Sequence, residues 1–139
     1  MTVREKIQAL LEAAAGVTAF VPTNRIRVPG PWQNLARPYI IHFAVAVDPT
    51  HTHDGLAQGK GWSYQVSVFA DSYSTGDAVA RAVVTALDGV HADSPATEGM
   101  TCLWESGTWY VGSEGSGVDG SGPPIEHFAI EFRIFEGLA

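Results

Sequence analysis

Three residues in one short stretch come nearest to a chemical site. His51, His53 and Asp54 stand together as His-Thr-His-Asp. Imidazole and carboxylate are good ligands for zinc and similar metals. A His-x-His pair on a strand would aim both rings to one side. Here the pair is read in a polar loop over residues 50–60, and spacing places no third or fourth ligand beside it, since His42, His91 and His127 lie elsewhere in the chain. The chemistry open to such a cluster is that of a small metal-dependent enzyme, or of a pH-sensitive contact. A solvated polar loop is the simpler reading, and the expectation is no metal and no cofactor.

The other chemical candidates fail on their surroundings. Gly115, Gly117 and Gly120 match the spacing of a dinucleotide-binding turn, which needs a strand before it and a helix N-terminus after it to meet a pyrophosphate. Ser-Gly-Pro-Pro follows instead, and no lysine follows the glycines as a phosphate loop requires. Cys102 sits in an apolar stretch beside Leu103 and Trp104, which favours a buried, unreactive thiol. Asp71, Asp77 and Asp88 fit turn, cap and solvent positions better than an acid–base pair, because catalytic carboxylates need a cleft that shifts their pKa. The aromatic series Trp62, Tyr64, Phe69 and Tyr73 has the composition of a base-stacking platform, but the acidic balance of the chain points to core and interface packing instead.

The elements that must position these residues are legible from periodicity. The stretch 61–89 reads as strand, turn and helix. Trp62, Tyr64, Val66 and Val68 alternate onto one strand face, and Val79, Val83, Ala86 and Leu87 recur at helical spacing. Ser74 or Thr75 is the predicted helix cap, Asp77 favours the dipole of the first turn, and Gly89 is the expected left-handed stop. Before it, residues 3–15 read as an amphipathic helix with Thr2 and Glu5 at capping-box spacing and Gly16 as its stop. Residues 17–38 carry Pro22, Pro29, Pro31 and Pro38, which exclude a long element. Residues 25–28 can form a short strand, and Trp32 is expected over a core edge. Residues 39–47 are apolar on both faces, interrupted by His42, and predict a central strand that ends at Asp48-Pro49. Residues 101–104 and 108–111 read as a hairpin around Glu105-Ser-Gly107. Residues 113–124 are rich in Gly and Ser, and residues 125–135 form a last strand with Phe128, Ile130, Phe132 and Ile134 on one face. The economical packing is α+β, an antiparallel β-sheet with two helices on one face, in a single domain over residues 1–139.

Composition narrows the functional class. Lys and Arg number 8 against 15 Asp and Glu, for a formal net charge of −7. No basic stripe is available to neutralise phosphates, which argues against tight DNA binding. The N-terminal residues mix both charge signs and do not have a signal-peptide pattern. The longest apolar run is too short to span a bilayer, so no membrane partner is expected. The single cysteine suits synthesis in a reducing compartment. A hydrophobic content of 45% is high for a chain of 139 residues and suggests that some apolar surface is shared with other subunits.

In order, these features resemble the tail-completion, or tail-terminator, proteins of long-tailed bacteriophages and related gene transfer agents. The resemblance rests on the N-terminal helix ending near Gly16, on Arg25-Ile26, and on the proline-rich passage closing in Arg37-Pro38-Tyr39-Ile40. It continues through Tyr64-Gln-Val-Ser-Val-Phe-Ala-Asp71 with Tyr73, the helix ending Ala86-Leu87-Asp88-Gly89, and the closing strand from Phe128 to Phe135. It spans nearly the whole chain, although the Gly-rich residues 113–124 are longer than the pattern leads one to expect. The resemblance implies no catalytic residues. It implies a structural virion protein made in the host bacterial cytoplasm, forming a homo-oligomeric ring, usually a hexamer, at the head-proximal end of the tail. Such a ring caps the tail tube protein, ends its growth, meets a head–tail connector or stopper, and lets double-stranded DNA pass without tight binding. His51, His53, Asp54 and Lys60 in one loop, and Glu114 and Asp119 in the other, are the candidates for facing the channel or a neighbouring ring. The alternatives are another head–tail joining or tail-tube ring protein, a small metal-dependent enzyme using His51, His53 and Asp54, and a small-ligand module with an aromatic pocket.

Overall fold

The computed structural model describes residues 2–30, 35–51, 57–90, 100–105, 109–115 and 124–137. The elements run α1 (Val3–Ala13), α2 (Ala15–Thr18), a 3-10 turn (Thr23–Arg25), β1 (Ile26–Arg27), β2 (Tyr39–His51), β3 (Ala57–Ala70), α3 (Tyr73–Leu87), β4 (Met100–Trp104), β5 (Tyr110–Gly115) and β6 (Pro124–Gly137). The six strands form one mixed sheet in the order β1-β2-β3-β6-β4, with β5 also on β6. Only β1 pairs in parallel, matching Ile26 to Ile40 and Arg27 to Ile41. The architecture is α+β, as the periodicity predicts.

Two long strands carry the core. Tyr64, Val66 and Val68 of β3 lie opposite Phe132, Ile130 and Phe128 of β6, and all six side chains are buried. Val79, Val83 and Leu87 of α3, and Ile7 and Leu11 of α1, close over them in the same buried cluster. Burying each such side chain stabilises the fold by about 1.5–3 kcal/mol. On the other face Ser67 and Ala129 are buried, while Tyr39, Phe69 and His127 form a stacked row across three strands, with centroids 4.8 and 4.3 Å apart.

The helix ends follow side-chain chemistry. The capping box on α1 is present: Glu5 N–H donates to Thr2 Oγ1 at 3.2 Å, and Thr2 N–H donates to the Glu5 carboxylate at 2.8 Å. The helix ends earlier than expected, at extended Ala14, and Gly16 falls inside α2 rather than stopping α1. Helix α3 is capped by Ser72, whose Oγ accepts from Thr75 N–H, and not by Ser74 or Thr75. Gly76 sits in the first turn of α3 against the Phe128 ring, where a Cβ would collide. Gly89 does take the left-handed conformation, at φ +79°.

Three strand expectations are corrected. β2 runs through Pro49 to His51 instead of ending at Asp48. One side of β2 pairs along its length with β3, and the other meets, among the described residues, only the two-residue β1; a proline is tolerated where one row of backbone groups has no ladder to lose. Its middle is therefore not central, and Val45 and Val47 are 57% and 46% exposed. The loop expected over 50–60 is strand at both ends, since His51 pairs with Ala57. Finally, β4 and β5 do not pair with each other as a hairpin. Both lie antiparallel along one side of β6, β4 from Met100↔Glu136 to Trp104↔Phe132 and β5 from Tyr110↔Phe128 to Gly115↔Pro124. Glu105 N–H donates to Glu131 C=O and Ala129 N–H donates to Trp109 C=O, so the chain stays on the same side of β6 at both flanks of residues 106–108. Trp32 lies outside the described residues.

Candidate interaction surfaces

Most of the chemical candidates cannot be compared, because their side chains fall outside the described residues. His53, Asp54, His91 and Asp119 lie outside the described residues, and His51 and Lys60 are placed by backbone alone, on the paired ends of β2 and β3. Glu114 is exposed on β5, opposite Ile125. Among the described residues, no three His, Cys, Asp or Glu side chains are grouped so as to hold a metal ion. Cys102 is buried on β4, and its thiol is pushed up to about 12 by burial and then by the nearby Asp88 carboxylate. A thiol so far above neutral pH is not a nucleophile. Gly117 and Gly120 lie outside the described residues, and the next described element after them is the strand β6.

Among the described residues His42 is the one buried histidine, and its bonds show why it is structural. Its Nδ1 lies 2.6 Å from the Tyr64 hydroxyl and its Nε2 lies 2.7 Å from Gln8 Oε1. The Gln8 amide nitrogen donates to Ile26 C=O and to Glu12 at 2.8 and 2.7 Å, which fixes Oε1 as the acceptor. Nε2 therefore carries the imidazole proton and Tyr64 donates to Nδ1. Burial, with Arg4 adding to it, lowers the His42 pKa to about 4, and burial raises that of Tyr64. This neutral, satisfied chain ties α1 to β1, β2 and β3. No spacing rule announces it, because its members come from four elements.

A second polar anchor holds α3 against the β4–β5 side. Asp77 accepts from Arg81 Nε at 2.8 Å and from the Trp109 indole N–H at 2.9 Å. These bonds, that to Arg81 first, lower the Asp77 pKa. Trp109 meets Trp104 edge to face at 5.8 Å between centroids. At the other corner Arg37 pairs with Asp71 at 2.6 Å.

What remains is surface suited to protein contact. A groove of about 630 Å³ opens between the start of α1 and the β1–β2 edge, lined among others by Arg4, Val28, Phe43, Ala44 and Trp62. A neighbouring groove shares Arg4 and Val28 and adds Arg27. On the far side of the sheet Leu103, Trp104, Val111 and Phe135 are 41–49% exposed. Exposed apolar side chains grouped in this way are a common feature of surfaces that contact other proteins.

The fold is a small α+β domain whose described residues leave apolar side chains at the surface. Residues 5–108 match the family model described as tail completion protein gp17. The chain belongs to that family, and it is a structural protein of the virion tail. Its fold is similar to that of a chain in the solved structure "Virion of native gene transfer agent (GTA) particle", with a TM-score of 0.58, 23% identity, and coverage of 94% of this chain and 92% of that one. No curated protein matches the chain.

Proposed function

We propose that this chain is a tail terminator. A single domain over residues 1–139 forms a closed ring, six subunits in number, on the head-proximal end of the tail tube. The ring stops tube growth and presents its other side to the head–tail connector or stopper. Double-stranded DNA passes through it. The observation that carries this reading is the family match over residues 5–108 of 139. The charge supports it, because each subunit brings −7, and an acidic channel repels duplex phosphates and lets DNA slide. Within this reading, the β2–β3 tip with His51, His53, Asp54 and Lys60, and the β5–β6 connection with Glu114 and Asp119, face the channel or a neighbouring ring.

The test is to image tails that carry a tagged copy of this chain. The tag is expected as one ring at the end of the tail that meets the head. Tag density along the whole tube, or at the distal tip, would contradict the proposal.

A further inference from the structure

We infer that the open edge of β5 takes an extended, basic segment of a different protein of the particle, added to the sheet as a further strand. The inference rests on the reading of this chain as part of an assembled tail and names one contact within it. It starts from a run of sequence. From residue 82 to residue 132 there are eight Asp and Glu and no Lys or Arg. In the fold this run supplies the end of α3, all of β4 and β5, and most of β6. One edge of the sheet is therefore built from it.

The carboxylates of this edge are open to a partner. Glu105 and Glu114 are exposed, and among the described residues neither they nor Glu126 is in an ion pair. Glu126 accepts the Tyr110 hydroxyl at 2.5 Å, so a carboxylate sits at the tip of that exposed ring. The cations that border the patch are occupied. Arg81 is held by Asp77 and lies over the Trp109 ring, while Arg133 lies over Phe135 and donates to Ser63. A channel wall would need the same charge, but not the exposed Leu103, Trp104 and Val111 that stand among it. Aromatic and apolar side chains at such exposure suit a contact with protein.

The backbone of β5 is also open. It pairs with β6 along one row, and among the described residues its other row has no partner. On β4 the outer row is already used at Cys102, which exchanges bonds with Gly89 and Val90. Residues 110–115 contain no lysine or proline to guard the edge, and only the bulge between Tyr110 and Gly112 interrupts it. An extended segment pairs with such an edge through its backbone, while its side chains supply the selectivity. Beside these carboxylates the favoured side chains are Lys and Arg. A second copy of this chain fits poorly as their source. Of its eight basic side chains, Lys6 is buried, and Arg27, Arg37, Arg81 and Arg133 are already engaged.

The test places the photoreactive amino acid benzoylphenylalanine at Val111, or in a second variant at Ser113, and irradiates assembled particles that carry it. Both positions are exposed. Mass spectrometry then identifies the cross-linked peptides. The expected product joins β5 to a segment of a different protein in which Lys and Arg outnumber Asp and Glu. Adding Glu105→Arg with Glu114→Arg, in a chain that melts like wild type, is expected to lower its yield by about tenfold. Cross-links only to a second copy of this chain, cross-links to an acidic or neutral segment, a yield unchanged by charge reversal, or no cross-link from either position would overturn the inference. Normal particles from which this chain is absent would instead overturn the reading on which it rests.

Discussion

His42 shows what a single residue contributes here. It is buried and neutral, with both ring nitrogens bonded. Its pKa is about 4 in the fold and near 6.5 when unfolded, so between these values the unfolded chain binds the extra proton. Stability is therefore complete above about pH 6.5 and falls as the pH drops toward 4. The loss between pH 7 and 5 is expected to be roughly 2 kcal/mol, read as a lower urea midpoint. A midpoint unchanged over that range would contradict the assignment. Tyr64→Phe removes the donor to Nδ1 and is expected to cost about 1–3 kcal/mol. Gly76→Ala tests a different force. In an open helix that change gains about 1 kcal/mol, but here the added Cβ meets Phe128. The expected result is a loss of about 1–3 kcal/mol from overpacking, and a gain in urea denaturation would refute the close approach.

At the scale of elements, the anchors of α3 set its start and its neighbour. Ser72→Ala removes the cap and is expected to cost about 1 kcal/mol in thermal unfolding. Asp77→Ala frees the Trp109 indole and is expected to shift tryptophan emission to the red; an unchanged spectrum would argue against the bond. The elements themselves were largely legible in the sequence. The alternation through Tyr64, Val66 and Val68, the last strand, the capping box at Thr2 and the stop at Gly89 depend on local pattern, and all are present in the fold. The misread features depend on what lies across the sheet. Pro49 looks like a strand end until β2 is seen beside the two-residue β1. Glu105-Ser-Gly107 looks like a hairpin turn because sequence cannot say that both flanking strands pair with β6. Of the candidate contact residues, only Glu114 has a described side chain, and it is exposed on β5.

At the scale of the whole molecule, the same acidic balance that argues against DNA binding suits the DNA channel proposed for the ring. Purified protein is expected to give no retention of duplex DNA at physiological salt, and tight, salt-sensitive binding would contradict an acidic lumen. The central claim is that this chain ends tail growth and prepares the tail for the head. Its most direct test is the length distribution of tails assembled in cells that lack the gene, measured by electron microscopy. The account predicts tubes of uncontrolled length, or tails of normal length left unjoined to heads, with wild-type protein restoring both properties. Tails of normal length attached to heads in its absence would contradict it.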